Sequence, residues 1–103
     1  MAGKPRLRKV VNETSQVYCA SGLGLVREEV WLDAEGEVAR YNLAFINHFL
    51  MGKDNGRVLG YDNSHGHHHR HFMGTSAPFK YVEYDDLVEH FLAEVKELRK
   101  EQP

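Results

Sequence analysis

The sequence predicts a small α+β domain, in which an antiparallel sheet of three to five strands is followed by a C-terminal amphipathic helix packed on it. Apolar and polar residues alternate along several segments between positions 16 and 63, and turn-forming residues separate these segments. From position 87 the apolar residues instead recur every three or four positions, as on one face of a helix. A chain of 103 residues has room for one core, so we assign residues 1–103 to a single domain.

Composition and charge exclude several classes of protein. With 42% hydrophobic and 27% charged residues, the chain is neither disordered nor a coiled coil. The longest apolar run, residues 43–46, is far shorter than the ~20 residues of a membrane span, and no apolar segment of a signal peptide follows the basic N-terminus. Cys19 is the only cysteine and cannot form an internal disulfide. We therefore expect a cytoplasmic protein without membrane contact.

Residues 1–15 show no clear hydrophobic period, which leaves open a flexible arm over this segment. The segment contains the densest basic run of the chain, which is typical of a solvated arm: Lys4, Arg6, Arg8 and Lys9. The formal net charge of the whole chain is −2, so any affinity for nucleic acid has to come from a local patch. A first strand is expected from residue 16, before a turn at Ser21-Gly22.

The alternation is clearest at residues 25–33, the next predicted strand. One face carries Val26, Val30 and Leu32, with Glu28 as an exception, and the other carries Arg27, Glu29, Trp31 and Asp33. A tryptophan on a polar face suits stacking on a nucleobase or contact with a partner protein. Gly36 then marks a hairpin turn, because such turns often need a positive φ angle.

Residues 38–50 form the longest predicted strand, with Tyr41, Leu43 and Phe45 on one face. Asn55-Gly56 is a strong hairpin signal, and another strand is expected at residues 57–63. The C-terminal helix places six apolar side chains on one face: Leu87, Val88, Phe91, Leu92, Val95 and Leu98. We expect this face to pack on the sheet.

The segment His65-Gly66-His67-His68-His69-Arg70-His71 contains five histidines in seven residues. If it is extended, alternate side chains share a face, which groups His65, His67, His69 and His71. Two histidines at this spacing can bind zinc or a similar ion, with Asp62 or His48 as a third ligand. A solvated loop or a subunit interface is an alternative interpretation.

Acid–base chemistry on a phosphodiester is a further alternative. Metal-free RNA cleavage needs a base for the 2′-hydroxyl, an acid for the leaving oxygen and a cation for the phosphorane. His69-Arg70-His71 supplies these residue types. On a straight strand, however, Arg70 would point away from both histidines, so this chemistry requires a bulge or bend, which Gly66 and Gly74 would allow.

The motif Tyr61-Asp62-Asn63, then Gly66 and His69-Arg70-His71, resembles the signature of the TumE family of toxin–antitoxin proteins. Two further segments are similar to that family: Tyr41, Leu43 and Ala44 in the preceding strand, and Tyr84-Asp85-Asp86-Leu87 at the start of the helix. The resemblance covers about residues 25–98. His67 and His68 depart from the usual pattern, in which other polar residues are commoner.

The resemblance implies a type II toxin with a helix-turn-helix antitoxin as its partner and RNA as its target. It implies catalytic roles for Asp62, His69, Arg70 and His71, and substrate-binding roles for Tyr61, Asn63, His67 and His68. In this interpretation no metal is required, although binding of a divalent ion such as zinc is an open alternative. Formation of a homodimer is also left open. The competing hypothesis is a non-enzymatic metal- or partner-binding module with a histidine-rich loop.

Overall fold

A computed structural model describes residues 6–100 of the chain as one six-stranded antiparallel sheet and one long helix. The strands are β1 (Arg8–Cys19), β2 (Gly22–Leu32), β3 (Val38–Ile46), β4 (Arg57–Asp62), β5 (His69–Phe72) and β6 (Thr75–Pro78), and the helix is α1 (Tyr84–Lys100). Each strand pairs with the next along the chain. The α+β class is confirmed, but the sheet has six strands instead of three to five. Within residues 6–100, no helix is long and apolar enough to span a membrane.

The two faces of the sheet differ in what covers them. On one face, buried side chains of β3 and β4 pack against one side of α1 to form the core: Tyr41, Leu43, Phe45, Leu59, Tyr61, Leu87, Phe91 and Val95. We call this the covered face. The side chains that alternate with these point to the opposite side, which we call the open face. Because residues paired across strands share a face, the open face includes the row Glu29, Asn42, Asp62 and His69.

Glu28, the exception in the alternation of β2, lies on the covered face. Its Oε2 accepts a hydrogen bond of 2.7 Å from the hydroxyl of Tyr84 at the start of α1. Burial, followed by this hydrogen bond, raises the pKa of Tyr84, which keeps its hydroxyl protonated as a donor. The partly buried carboxylate is therefore satisfied, and it ties the first turn of the helix to the sheet.

β1 begins within the segment for which a flexible arm was considered. Residues 8–15 pair with β2, and most of their side chains are exposed. An edge strand that is polar on both sides has no alternation of apolar residues, which explains why the pattern did not indicate it. Lys4 and the other residues of the 1–5 segment lie outside the described part of the chain.

β3 ends at Ile46, before the boundary predicted at residue 50. The buried side chain of Asn47 turns the chain here, because its Oδ1 accepts from the Phe49 amide at 2.9 Å and its Nδ2 donates to Ser21 Oγ at 3.1 Å. Asn55 and Gly56 do adopt positive φ angles of 54° and 80°. The turn predicted here is therefore present, but it closes a connection of residues 47–56 instead of a short hairpin.

Candidate functional site

The histidine segment forms β5, and its pairing with β4 decides where each side chain points. Asp62 pairs with His69, Tyr61 with Arg70, and Gly60 with His71, without a register shift. Since alternate residues of a strand point to opposite faces, His69 and His71 lie on the open face and Arg70 lies on the covered face. The bulge that would bring Arg70 beside the histidines is absent from this pairing, so the expected cluster of His69, Arg70 and His71 is not formed.

Asp62 is the centre of the open-face site. Its Oδ2 lies 2.8 Å from His71 Nε2 and 3.6 Å from Arg57 Nη1. Its Oδ1 accepts a hydrogen bond from the Ser64 amide at 3.2 Å. The residue is only 9% exposed. These contacts fix the carboxylate, and because a carboxylate only accepts hydrogen bonds, His71 must donate through Nε2.

Two further imidazoles continue the row beside His71. The ring centroid of His69 lies 6.3 Å from that of His71 and 6.1 Å from that of His67. The shared face expected for these three histidines is therefore present. His65 departs from it, because it occupies a turn with a φ of 63° before the strand begins.

Arg57, which the sequence pattern did not indicate, is the cation beside Asp62 on the open face. Its Nε donates to Asp54 Oδ2 at 2.8 Å, and its side chain crosses the sheet above Gly60. A Cβ at Gly60 would lie 2.7 Å from Arg57 Cδ, so a larger residue here would displace the Arg57 side chain. A glycine inside a predicted strand often marks such a close approach, and this was the available signal.

Arg70 instead belongs to a network on the covered face. Its Nε donates to the Tyr61 hydroxyl at 3.0 Å, and its Nη2 lies 2.5 Å from Glu94 Oε2 on α1. The Tyr61 hydroxyl also donates to Glu94. Burial and the bond to Glu94 raise the pKa of Tyr61 to about 12, so the hydroxyl stays a donor.

This network borders a cavity of about 560 Å³ between α1 and residues 79–83. The Arg70 and Glu94 charges already neutralise each other there. The contacts of Tyr61 and Arg70 with Glu94 attach α1 to the sheet.

Asn63 and His68, both expected to bind substrate, contact the protein itself. Asn63 bonds to the backbone of β3: its Oδ1 accepts from the Tyr41 amide at 3.0 Å and its Nδ2 donates to the Ala39 carbonyl at 2.9 Å. His68 Nδ1 lies 2.8 Å from the Tyr41 hydroxyl, and its ring stacks on Tyr81 with centroids 4.2 Å apart. Burial, followed by the charge of His69, lowers the pKa of His68, which favours the neutral ring.

Within residues 6–100, no group of three or more histidine, cysteine, aspartate or glutamate side chains has the arrangement of a metal site. His48, one candidate for a third ligand, packs its ring against Gly56 in the connection between β3 and β4. The arrangement that is present suits proton transfer: a carboxylate-oriented imidazole, a second imidazole and a guanidinium on one exposed surface.

The model of one protein family, described as Toxin TumE, matches residues 5–99 of the chain. The match begins before β1, so it extends further toward the N-terminus than the resemblance at residues 25–98. No curated protein and no solved structure matches the chain.

Proposed function

The chain belongs to the TumE toxin family, and from this premise we propose that it is the toxin of a type II toxin–antitoxin pair and cleaves RNA on its open face. The observation that carries the proposal is the pair of Asp62 and His71, 2.8 Å apart, with a second imidazole and a guanidinium beside it. Family membership supports an antitoxin partner. The helix-turn-helix class of that partner is part of the proposal.

In the proposed reaction, His71 acts as the general base. Donation from Nε2 to Asp62 leaves the Nδ1 lone pair to take the proton of a 2′-hydroxyl. The 2′-oxygen attacks phosphorus, the bond from phosphorus to the 5′-oxygen breaks, and protonated His69 gives its proton to that oxygen. The products are a 2′,3′-cyclic phosphate and a 5′-hydroxyl.

The cation of the reaction is Arg57 in place of Arg70. Its guanidinium lies beside Asp62 on the face that carries His69 and His71, where it can stabilise charge on the phosphorane. Asp62 is a positioning residue, because it holds the ring of His71 in one orientation. The exposed ring of His67, next to His69, is left to contact substrate.

Growth after tight induction in a bacterial host tests the proposal. We expect arrest by the wild-type protein and normal growth with a His69→Ala/His71→Ala variant expressed to the same level. His90→Ala is the matched control, because it removes an exposed histidine of α1, and we expect it to arrest growth. Normal growth with soluble wild-type protein would contradict the proposal.

Cleavage of purified RNA then identifies the chemistry. We expect cyclic phosphate ends, unchanged rates in EDTA, and a bell-shaped pH profile that reports one acid and one base. Cleavage abolished by EDTA would replace this mechanism with a metal-dependent one. Absence of turnover at every pH would favour the non-enzymatic binding module.

A further inference from the structure

The open face carries a second cluster of side chains outside the proposed site. Lys9 of β1 and Arg40 of β3 each pair with Trp31 of β2. Lys9 Nζ lies 4.8 Å and Arg40 Cζ 4.9 Å from the centroid of the Trp31 ring system. Both cations lie over the ring in cation–π contact. Proteins bind single-stranded nucleic acids with aromatic rings and cations of this kind, since bases stack on the ring and phosphates pair with the cations. A base that stacks on Trp31 would replace one of the two cations over the ring. We call these three residues the Trp31 platform.

The platform lies close to the proposed site. Arg40 is two residues from Asn42 on β3, which is roughly 7 Å along a strand, and Asn42 pairs with Asp62. Between Arg40 and the turn at residues 63–66 lies a cavity of about 560 Å³, lined in part by Ser64 and His65. An RNA strand bound at Asp62 can therefore pass through this cavity to the Trp31 platform.

Of the two cations of the platform, Lys9 pairs with a carboxylate and, in the described part of the chain, Arg40 does not. Glu29 accepts from Lys9 at 2.6 Å and lies 3.3 Å from Arg27, so both of these cations are already paired. The hydrogen bond from Lys9 is the main cause that lowers the pKa of Glu29, which keeps this carboxylate charged. Arg40 is exposed and, within residues 6–100, forms no ion pair; its described contact is with the Trp31 ring. Its charge is therefore not neutralised by a carboxylate and can pair with a phosphate.

We propose that Trp31 and Arg40 bind an unpaired RNA segment that flanks the phosphate at Asp62 and His71, so that the substrate is single-stranded RNA. This inference rests on the proposed function and adds its substrate class. In a duplex the base faces are stacked on one another and are not free to stack on Trp31, whereas an unpaired base can turn onto the indole.

The chain's single tryptophan makes the platform observable, because all tryptophan fluorescence comes from Trp31. The titration uses the His69→Ala/His71→Ala variant, which cannot process the RNA, with an unstructured oligoribonucleotide and a duplex of the same length. We expect quenching by the single strand and little by the duplex. Equal quenching by both would overturn the inference, as would quenching by neither.

Affinity for labelled RNA, measured by anisotropy, tests the residues one by one in the same background. We expect Trp31→Ala to weaken binding of the single strand by about 10- to 100-fold, as loss of one stacked base does. Trp31→Phe should keep most of the affinity. Arg40→Ala should weaken binding, whereas Lys96→Ala, which removes an exposed cation from α1, should leave it unchanged. Circular dichroism checks that each variant is folded.

The outcomes separate this inference from the proposed function. If wild-type protein cleaves RNA and Trp31→Ala leaves KM unchanged, the platform assignment is wrong and the nuclease assignment stands. If single-stranded RNA quenches Trp31 and no cleavage occurs, the nuclease assignment fails while RNA binding remains. If only a partner protein quenches Trp31, the platform is an antitoxin contact, and the inference is overturned.

Discussion

Arg57 and Arg70 are 13 positions apart in the sequence, and their side chains lie on opposite faces of the same sheet. Arg70 is pinned between Tyr61 and Glu94, whereas Arg57 folds over Gly60 toward Asp62. Only Arg57 lies where it can meet a phosphate held by His69 and His71. The neighbouring position of Arg70 in sequence therefore does not make it a neighbour of the histidines in space.

Removal of Arg57 should affect catalysis more than folding. We expect Arg57→Ala to lower kcat for RNA cleavage by about 10²- to 10³-fold, which is typical for loss of one preorganised donor. Lys53→Ala, which removes an exposed cation from the same connection, should leave kcat unchanged. Full activity in Arg57→Ala, together with an inactive and fully folded Arg70→Ala protein, would show that Arg70 contacts the phosphate and that Arg57 does not.

His68 should make stability depend on pH. Because burial lowers the pKa of His68 in the folded protein below the ordinary value of 6.5, the unfolded chain takes up the proton first as pH falls. The contribution of neutral His68 is therefore complete above about pH 6.5 and is lost as the pH falls through and below that value. We expect the free energy of unfolding in urea to drop more between pH 7.5 and 5.5 in the wild type than in His68→Gln.

The matched control is His65→Gln, which removes an exposed histidine from the preceding turn. Its loss of stability between the two pH values should follow the wild type. Parallel curves for the wild type and His68→Gln would show that protonation of His68 is not coupled to unfolding.

Among the elements, α1 is the one that gives the sheet a core. Phe91 is fully buried against the sheet, whereas its neighbour Leu92 is 49% exposed. We expect Phe91→Ala to lower the free energy of unfolding by about 3–5 kcal/mol through lost burial and the cavity left behind. Leu92→Ala should change it by about 0.5 kcal/mol or less. Urea unfolding of both variants tests this, and equal losses would contradict the packing of α1 described above.

The elements also differ in how clearly the sequence pattern predicts them. The half-buried strands β2 and β3 show alternation, and α1 shows a helical period, because each has one face in the core. Residues 8–15 of β1 and all of β6 have mostly exposed side chains, so no alternation of apolar residues marks them. β5 alternates between histidines on one face and Arg70 and Phe72 on the other, a pattern that hydrophobicity alone does not detect.

The candidate site could be predicted in part for the same reason. The alternation of a strand places His69 and His71 on the face opposite Arg70. The sequence alone therefore indicated that these three side chains could not meet on a straight strand. Gly60 indicated a close approach to β4, but the sequence could not identify Arg57 as the approaching group. The position of Arg57 depends on an irregularity in the pairing of β3 and β4 after Phe45.

At the scale of the whole molecule, the order of the elements along the chain has a consequence for synthesis. All six strands precede α1, and Leu87, Phe91 and Val95 complete the core from the helix. While the nascent chain leaves the ribosome, the apolar side of the finished strands has nothing to pack against until these last residues emerge. A polypeptide released before the helix is made would thus contain Asp62, His69 and His71 without the core that holds them in place.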